Sequence, residues 1–325
     1  MYIQVVGAGS WGLALARLLG LNGHRVALWS REEDQPEHLR RTRRSALYLP
    51  GVSIPESVAV GGESDPDVEM AILAVPSHAM RSVVAAHPFS AKTIRVSVAK
   101  GIENETLLRM SEVVRETAGD APVVALSGPS HAEEVARDLP ASVVAAGPDP
   151  AACQVVQDAL RGRTFRVYTS PDIVGVELGG ALKNIIAIAA GVVDGLGLGD
   201  NAKAALITRG LAEMARLGVA MGAEPLTFAG LSGVGDLIVT CASRHSRNRS
   251  VGERIAQGMS LEQIQASSPM VAEGVRNTRS AHALAKRHGI EMPITEQVHR
   301  VLFEGANARE AVTALMLREA KPERG

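Results

Sequence analysis

Tyr2-Ile3-Gln4-Val5-Val6-Gly7-Ala8-Gly9-Ser10-Trp11-Gly12 is the stretch whose reading decides the fold. Five β-favouring residues run without a spacer into G-x-G-x-x-G. Leu13, Leu15, Ala16, Leu18 and Leu19 then recur at helical spacing until Gly20 and Asn22-Gly23 stop the pattern. A glycine-rich turn between a strand and a helix fits the pyrophosphate of a dinucleotide. Gly7 and Gly9 permit a tight turn and close approach of the ligand, and Gly12 lets the helix pack on the strand. The helix N-terminus then stabilises the anion. The competing reading is a glycine-rich turn that holds nothing.

Further aliphatic runs follow: HRVALWS (24–30), MAILAV (70–75), TIRVSVA (93–99), PVVAL (122–126), ASVVAA (141–146) and FRVY (165–168). Runs of this kind, separated by helical patterns, predict a parallel sheet buried on both faces. Beyond residue 171 the texture changes. Helical spacing is found at 176–193, 201–217, 246–257, 271–288, 293–304 and 307–318, with no convincing strand. The expected fold class is α/β: a Rossmann-type dinucleotide-binding domain over 1–170, then an all-α substrate domain over 171–325. The boundary is placed in the turn Thr169-Ser170-Pro171-Asp172.

Composition narrows the function. The 325 residues carry 34 Lys plus Arg against 35 Asp plus Glu, which argues against a dedicated nucleic-acid binder. Aromatics are 3%, too few for a base-stacking platform. Cys153 and Cys241 cannot build a disulfide framework or a four-cysteine zinc site, and the chain reads as cytoplasmic. The longest charge-free stretch is the first sixteen residues; it lacks a basic start and contains three glycines. Neither a signal peptide nor a membrane span is expected from it. His131 and Glu133 form H-x-E without a paired-cysteine motif, so no metal site is expected.

The second strand ends in Trp29-Ser30-Arg31, where an NAD-restricted site would carry Asp or Glu. With no carboxylate to repel a 2′-phosphate and Arg31 available to pair with one, NADPH should serve at least as well as NADH. Alternatively, Arg31 pairs with Glu32, Glu33 or Asp34.

Two charges lie in apolar surroundings. Between Gly175 and Gly199 only Glu177, Lys183 and Asp194 are charged. Leu178, Leu182, Ile185, Ile186 and Ala189 form an apolar stripe, and the helical neighbours of Lys183 include no carboxylate. A partly desolvated lysine has a lowered pKa suited to acid–base work; a lysine snorkelling from the helix edge is the alternative. Asp236 is the only charge from Leu226 to Ser243. Such a carboxylate needs a partner from elsewhere in the fold, for which Lys183 is the economical choice, unless it caps a helix.

Ser246-Arg247-Asn248-Arg249 opens a helical stretch with a guanidinium, an amide and backbone N–H groups, good phosphate chemistry though also a common surface pattern. Lys100 ends a strand at the ligand-bearing edge. Ser127-Gly128-Pro129-Ser130-His131-Ala132-Glu133 does the same one strand later. Ser130 and Glu133 have capping-box spacing, so this segment either faces the nicotinamide or merely caps a helix.

In this order, GAGSWG (7–12), YLPG (48–51), AVPSHAMR (74–81), AKGIE (99–103), SGPSHAEEV (127–135), VELGGALKNIIAIAAG (176–191), LSGVGDLIVTC (231–241), SRNR (246–249) and VAEG (271–274) resemble the soluble NAD(P)-dependent glycerol-3-phosphate dehydrogenases. The resemblance spans almost the whole chain, and GGALKN with GDLIVTC and SRNR is its most specific part. It implies reversible conversion of sn-glycerol 3-phosphate to dihydroxyacetone phosphate, supplying phospholipid backbones, by a homodimer using NAD(H) or NADP(H).

Carried over at matching positions, Lys183 is the catalytic acid/base with Asp236 beside it. Lys100, Gly128, Ser130, Asp236, Ser246, Arg247 and Asn248 would contact the phosphorylated triose, with Asn184 and Thr240 as second contacts. Ser10, Trp11, Arg31, Lys100, Ala132, Arg247, Val271 and Glu273 would contact the cofactor, together with Gly7, Gly9 and Gly12 of the turn. Ser45 departs from the family's usual Asn, which leaves the contacts of the Arg-rich loop 39–48 open. Two rival readings are another lysine-dependent two-domain dehydrogenase, of the 3-hydroxyacid or 6-phosphogluconate type, and a module that senses NAD(P) without turnover.

Overall fold

The computed structural model describes all residues except 32, 34, 35, 62–64, 66, 268–271, 321, 324 and 325. Its strands are β1 (Tyr2–Val6), β2 (Arg25–Trp29), β3 (Val58–Val60), β4 (Met70–Leu73), β5 (Ile94–Ser97), β6 (Val123–Ser127), β7 (Ala141–Ala146) and β8 (Phe165–Ser170). The helices of this half are α1 (Ser10–Leu21), α2 (Pro36–Thr42), α3 (Met80–Ala86), α4 (Met110–Ala118), α5 (Ala132–Val135) and α6 (Pro150–Leu160). The other half holds α7 (Ile173–Gly195), α8 (Asp200–Ala220), α9 (Pro225–Phe228), α10 (Asp236–Ala242), α11 (Arg247–Ala256), α12 (Leu261–Ala266), α13 (Glu273–His288), α14 (Pro293–Phe303) and α15 (Ala308–Met316). A π-helical turn, Leu231–Gly235, leads into α10.

The strands form one sheet in the order β3-β2-β1-β4-β5-β6-β7-β8. Order reverses at β1, which pairs with β2 on one side and β4 on the other, both parallel. Outside the carboxyl ends of β1 and β4 is therefore the crevice where open α/β sheets bind ligands. One expectation fails: β6 and β7 pair antiparallel. The link between them holds only the four-residue α5, too little for the crossover helix that a parallel return needs. β3 escaped the sequence reading because three residues give no period to count.

Within α7 the expected apolar stripe gives way to burial on every face, Glu177, Lys183 and Asn184 included. By length and composition α7 could cross a membrane, yet 94% of its most apolar window is buried inside the protein, as for a core helix. Asp172 starts it by accepting from Gly175 N at 2.8 Å. Its carboxylate also takes Glu224 N at 2.9 Å and Thr227 Oγ1 at 2.6 Å.

α11 crosses α7 backbone to backbone. A Cβ on Gly191 would fall 1.9 Å from the Arg249 carbonyl oxygen, and one on Gly252 1.9 Å from that of Ile188. Only glycine at both positions allows the approach that sets Asn248 beside Asn184. From the sheet side, Glu177 of α7 is fixed by Ser111 N and Oγ, each at 2.7 Å, and by Arg109 Nη1 at 2.6 Å.

Candidate active site

The glycine turn shapes one wall of a cleft of about 440 Å³, within the range of small-molecule sites. Gly7 has φ +114°, and a Cβ there would meet the Ala74 carbonyl oxygen at 2.4 Å. At Gly12 a Cβ would lie 1.9 Å from the Gly7 carbonyl oxygen, so glycine at 7 and 12 is what lets the helix, the turn and Ala74 beyond β4 come together. Gly9, the N-cap of α1, faces open space, and no side chain caps that helix. The first-turn amides of a twelve-residue helix are thereby left to face an anion.

Ser10, Trp11, Arg31, Lys100, Ala132, Arg247 and Glu273 line the cleft with Gly7 and Gly9. Gly12 lies behind the turn. Val271 is outside the described residues, as are Glu32 and Asp34, two of the three alternative partners named for Arg31. Glu273 gives its carboxylate to Ser77, accepting from the backbone N at 3.1 Å and from Oγ at 2.7 Å. Burial raises its pKa.

On the opposite wall Lys183 and Lys100 meet over one carboxylate. Lys183 Nζ donates to Asp236 Oδ1 and, at 2.7 Å, to Thr240 Oγ1. Lys100 Nζ donates to Asp236 Oδ2 at 2.7 Å and to the Gly128 carbonyl at 3.0 Å. Lys183 is 4% exposed, which removes the snorkelling alternative. Asp236 is the first residue of α10 and caps nothing, so the capping alternative also fails.

Burial pulls the Lys183 pKa well down; Asp236 opposes that shift and Lys100 adds to it. Asp236 is held below the usual carboxylate range because Lys100 and then Lys183 outweigh its own burial. Asp236 and Gly128 do not line the cleft: both are taken up in anchoring the lysines. Ser130 does line it, and its Oγ donates to the Gly128 carbonyl at 2.9 Å. The expected capping box is not formed, because α5 begins at Ala132 with His131 as N-cap.

A third group closes the site. Asn248 Nδ2 donates to Asn184 Oδ1 at 2.8 Å, while its own Oδ1 accepts from Gly274 N at 3.0 Å. Asn184 Nδ2 reaches the Lys100 carbonyl at 3.3 Å. Ser246 caps α11 by accepting from Arg249 N at 3.2 Å. Asn184, Thr240, Ser246, Arg247 and Asn248 all line the cleft. Thus the space bordered by the glycine turn and a cationic, amide-rich pocket are continuous.

Several lining residues were not foreseen: Tyr48, His78, His131 and His245. Burial, then Lys183, holds the His131 pKa down. Burial does the same at His78, with Arg276 and Arg31 contributing. The loop expected over 39–48 begins as helix, the end of α2. At Ser45 the hydroxyl accepts from Leu47 N at 3.1 Å and Tyr48 N at 2.9 Å, which turns the chain toward the cleft. A hydroxyl satisfies this turn as an Asn side chain would. Cys241 is fully buried, its thiol pushed up to about 12 by burial, as befits a small core residue.

Comparison with known proteins agrees with this geometry. The family description "NAD-dependent glycerol-3-phosphate dehydrogenase N-terminus" matches residues 2–153, and its C-terminal counterpart matches 172–313. The chain is 54% identical over 324 residues to glycerol-3-phosphate dehydrogenase (NAD(P)+) of Pelotomaculum thermopropionicum, covering 97% of this chain and 93% of the relative. It is 54% identical over 330 residues to the enzyme of that name from Geobacillus thermodenitrificans, with 99% and 96% covered. The crystal structure of glycerol-3-phosphate dehydrogenase from Coxiella burnetii superposes with a TM-score of 0.93 at 40% identity, covering 98% of this chain and 99% of that one. A ketopantoate reductase of Ralstonia eutropha, at 16% identity and a TM-score of 0.61, shares the fold alone.

Proposed function

The chain belongs to the NAD-dependent glycerol-3-phosphate dehydrogenase family, and from that premise we propose how its residues interconvert sn-glycerol 3-phosphate and dihydroxyacetone phosphate with NAD(P). The observation that carries the reading is the Lys183–Asp236–Lys100 cluster, with Lys183 and Asp236 buried and Lys100 half-buried, facing a cleft whose other wall is the glycine turn.

Open space beside Gly9 and the uncapped start of α1 fit a dinucleotide pyrophosphate. Gly7, Gly9, Gly12, Ser10, Trp11 and Ala132 would hold the dinucleotide. Lys100, Arg247, Val271 and Glu273 would complete its site, and Arg31 would meet a 2′-phosphate. When bound, the reduced cofactor supplies the hydride that C2 of the substrate takes up.

Arg247, Asn248 and Ser246, with Ser130 opposite, bind the phosphate end of the triose. Lys183 faces the C2 oxygen and donates a proton to the forming alkoxide. In the oxidising direction the neutral amine takes that proton back. Asp236 anchors Lys183 and divides its charge with Lys100, while Gly128 holds Lys100 in place. Asn184 and Thr240 fix the groups on either side of the amine. Positioning and charge stabilisation carry the catalysis, with no covalent intermediate.

A coupled assay with NADPH tests this reading against its rivals. Nicotinamide absorbance should fall with dihydroxyacetone phosphate and not with 3-oxoacids, and it should not rise when NADP+ is offered with 6-phosphogluconate. Turnover of those other substrates instead would favour the rival enzymes, and binding without turnover would favour the sensing module. The same reading has a homodimer acting in the cytoplasm and supplying glycerol phosphate for phospholipid synthesis. Sedimentation at a monomer's mass would remove the dimer from it.

A further inference from the structure

Helix α13 carries a polar stripe whose members are spaced i, i+4 and i+7: Glu273, half-buried at the cleft, and the buried Asn277 and Ser280. All three reach into the dinucleotide-binding half. Glu273 holds Ser77, as described above. Asn277 Nδ2 donates to the Lys100 carbonyl at 2.8 Å and to the Ala181 carbonyl of α7 at 3.0 Å. Ser280 Oγ donates to the Ile102 carbonyl at 3.2 Å and also meets Asn104 Oδ1. Asn277 is 0% exposed, and its Oδ1 has no hydrogen-bond partner among the described residues. Two carbonyls on one side dictate which end of the amide faces them, so its donor end does the binding while its acceptor end goes unmet.

We propose that Asn277 is a positioning residue for Lys100: by tying the Lys100 carbonyl to α7, it fixes the backbone from which the Lys100 amine reaches Asp236. Asn184 grips the same carbonyl from α7, so two helices of the C-terminal half hold one residue of the N-terminal half. The consequence falls on Lys183, which must share its carboxylate with a second cation. This inference rests on the assignment of Lys183 as the acid/base.

Among the described residues, the titratable groups facing Lys183 are Asp236 and Cys241 of α10, Lys100 beyond β5, and His131 before α5. Burial keeps the thiol protonated and favours the neutral imidazole, which leaves Lys100 as the second cation. Withdrawing Lys100 gives Asp236 to Lys183 alone and removes a like charge. Both effects raise the Lys183 pKa.

In the reducing direction, kcat falls as Lys183 loses its proton, so the alkaline limb of the pH profile reports that group. Asn277→Ala should move this limb upward, on the order of half a pH unit. Ser280→Ala removes a buried bond from the same helix to the same loop but does not touch Lys100. It should lower Tm and leave the limb in place. A limb unmoved in Asn277→Ala, or moved equally by both variants, overturns the proposal. If Asn277→Ala does not fold, Asn277→Ser, which keeps a single donor, should give a smaller upward shift, and no shift overturns the proposal. A wild-type profile without an alkaline limb overturns both this proposal and the Lys183 assignment, whereas an unmoved limb overturns this proposal alone.

Discussion

Lys183 on α7 and Asp236 on α10, 53 residues apart in sequence, form an ion pair that is almost wholly withdrawn from solvent. A buried pair of this kind is poor value as a stabiliser, since desolvation offsets much of its attraction. Its worth lies in what the carboxylate does to the amine. Asp236 keeps Lys183 protonatable in a place where burial would otherwise strip its charge, and Lys100 on the other oxygen limits how far that effect goes.

Replacing Asp236 by Asn should therefore push the Lys183 pKa below its present value of about 7. At pH 7 more of the amine is then neutral, and reduction of dihydroxyacetone phosphate should slow by roughly 100-fold or more, the scale of lost general acid catalysis. The alkaline limb of kcat should move to lower pH. A limb that stays put would separate Asp236 from the acid/base.

Arg31 borders the cleft at the end of β2, and its neighbours on the strand side carry no carboxylate. Arg31→Ala should raise KM for NADPH by roughly tenfold, the worth of one charge-assisted contact, and change KM for NADH little. Steady-state kinetics with both cofactors decide the point: equal effects on the two would remove the 2′-phosphate role.

At the α7–α11 crossing, Gly252→Ala would drive a methyl group into the Ile188 carbonyl. The obstacle is backbone and cannot rotate away, so the cost should reach or exceed the usual 1–3 kcal/mol of overpacking, roughly. Because α11 carries Arg247 and Asn248, KM for the phosphorylated substrate should rise as well. Urea unfolding and substrate kinetics on the same variant check both effects.

Glu213 on α8 supplies the N-terminus of α14 with its acceptors: Ile294 N at 2.7 Å, and Thr295 N and Oγ1 at 3.2 and 3.3 Å. Burial lifts its pKa from 4.5 to about 7 despite those donors. Between these values the folded state holds more protons here than the unfolded chain, so stability falls as pH rises through the window. Wild type should lose roughly 3 kcal/mol relative to Glu213→Gln between pH 4.5 and 7.5. Parallel pH dependences for the two proteins would contradict it.

The sequence made the glycine turn legible because its logic is local: strand, tight turn and helix follow one another within twenty residues. Lys183 and Asp236 were legible for another reason, since an isolated charge in an apolar run must find a partner in the fold. Groups whose roles depend on a distant segment were hidden. Asn277 and Glu213 look unremarkable on their own helices, and their meaning comes from carbonyls of Lys100 and Ala181 and from amides of α14. The antiparallel β7 was missed because run composition reports burial and not direction. The Ser130 capping box failed because the chain turns one residue later than the spacing suggests.

The most direct test is turnover by Lys183→Ala with NADPH and dihydroxyacetone phosphate, alongside a fluorescence titration of NADPH binding to the same variant. The structure predicts kcat lower by at least ~100-fold with the cofactor still bound at near wild-type affinity. Turnover close to wild type would contradict this, because another group would then have to protonate the C2 oxygen.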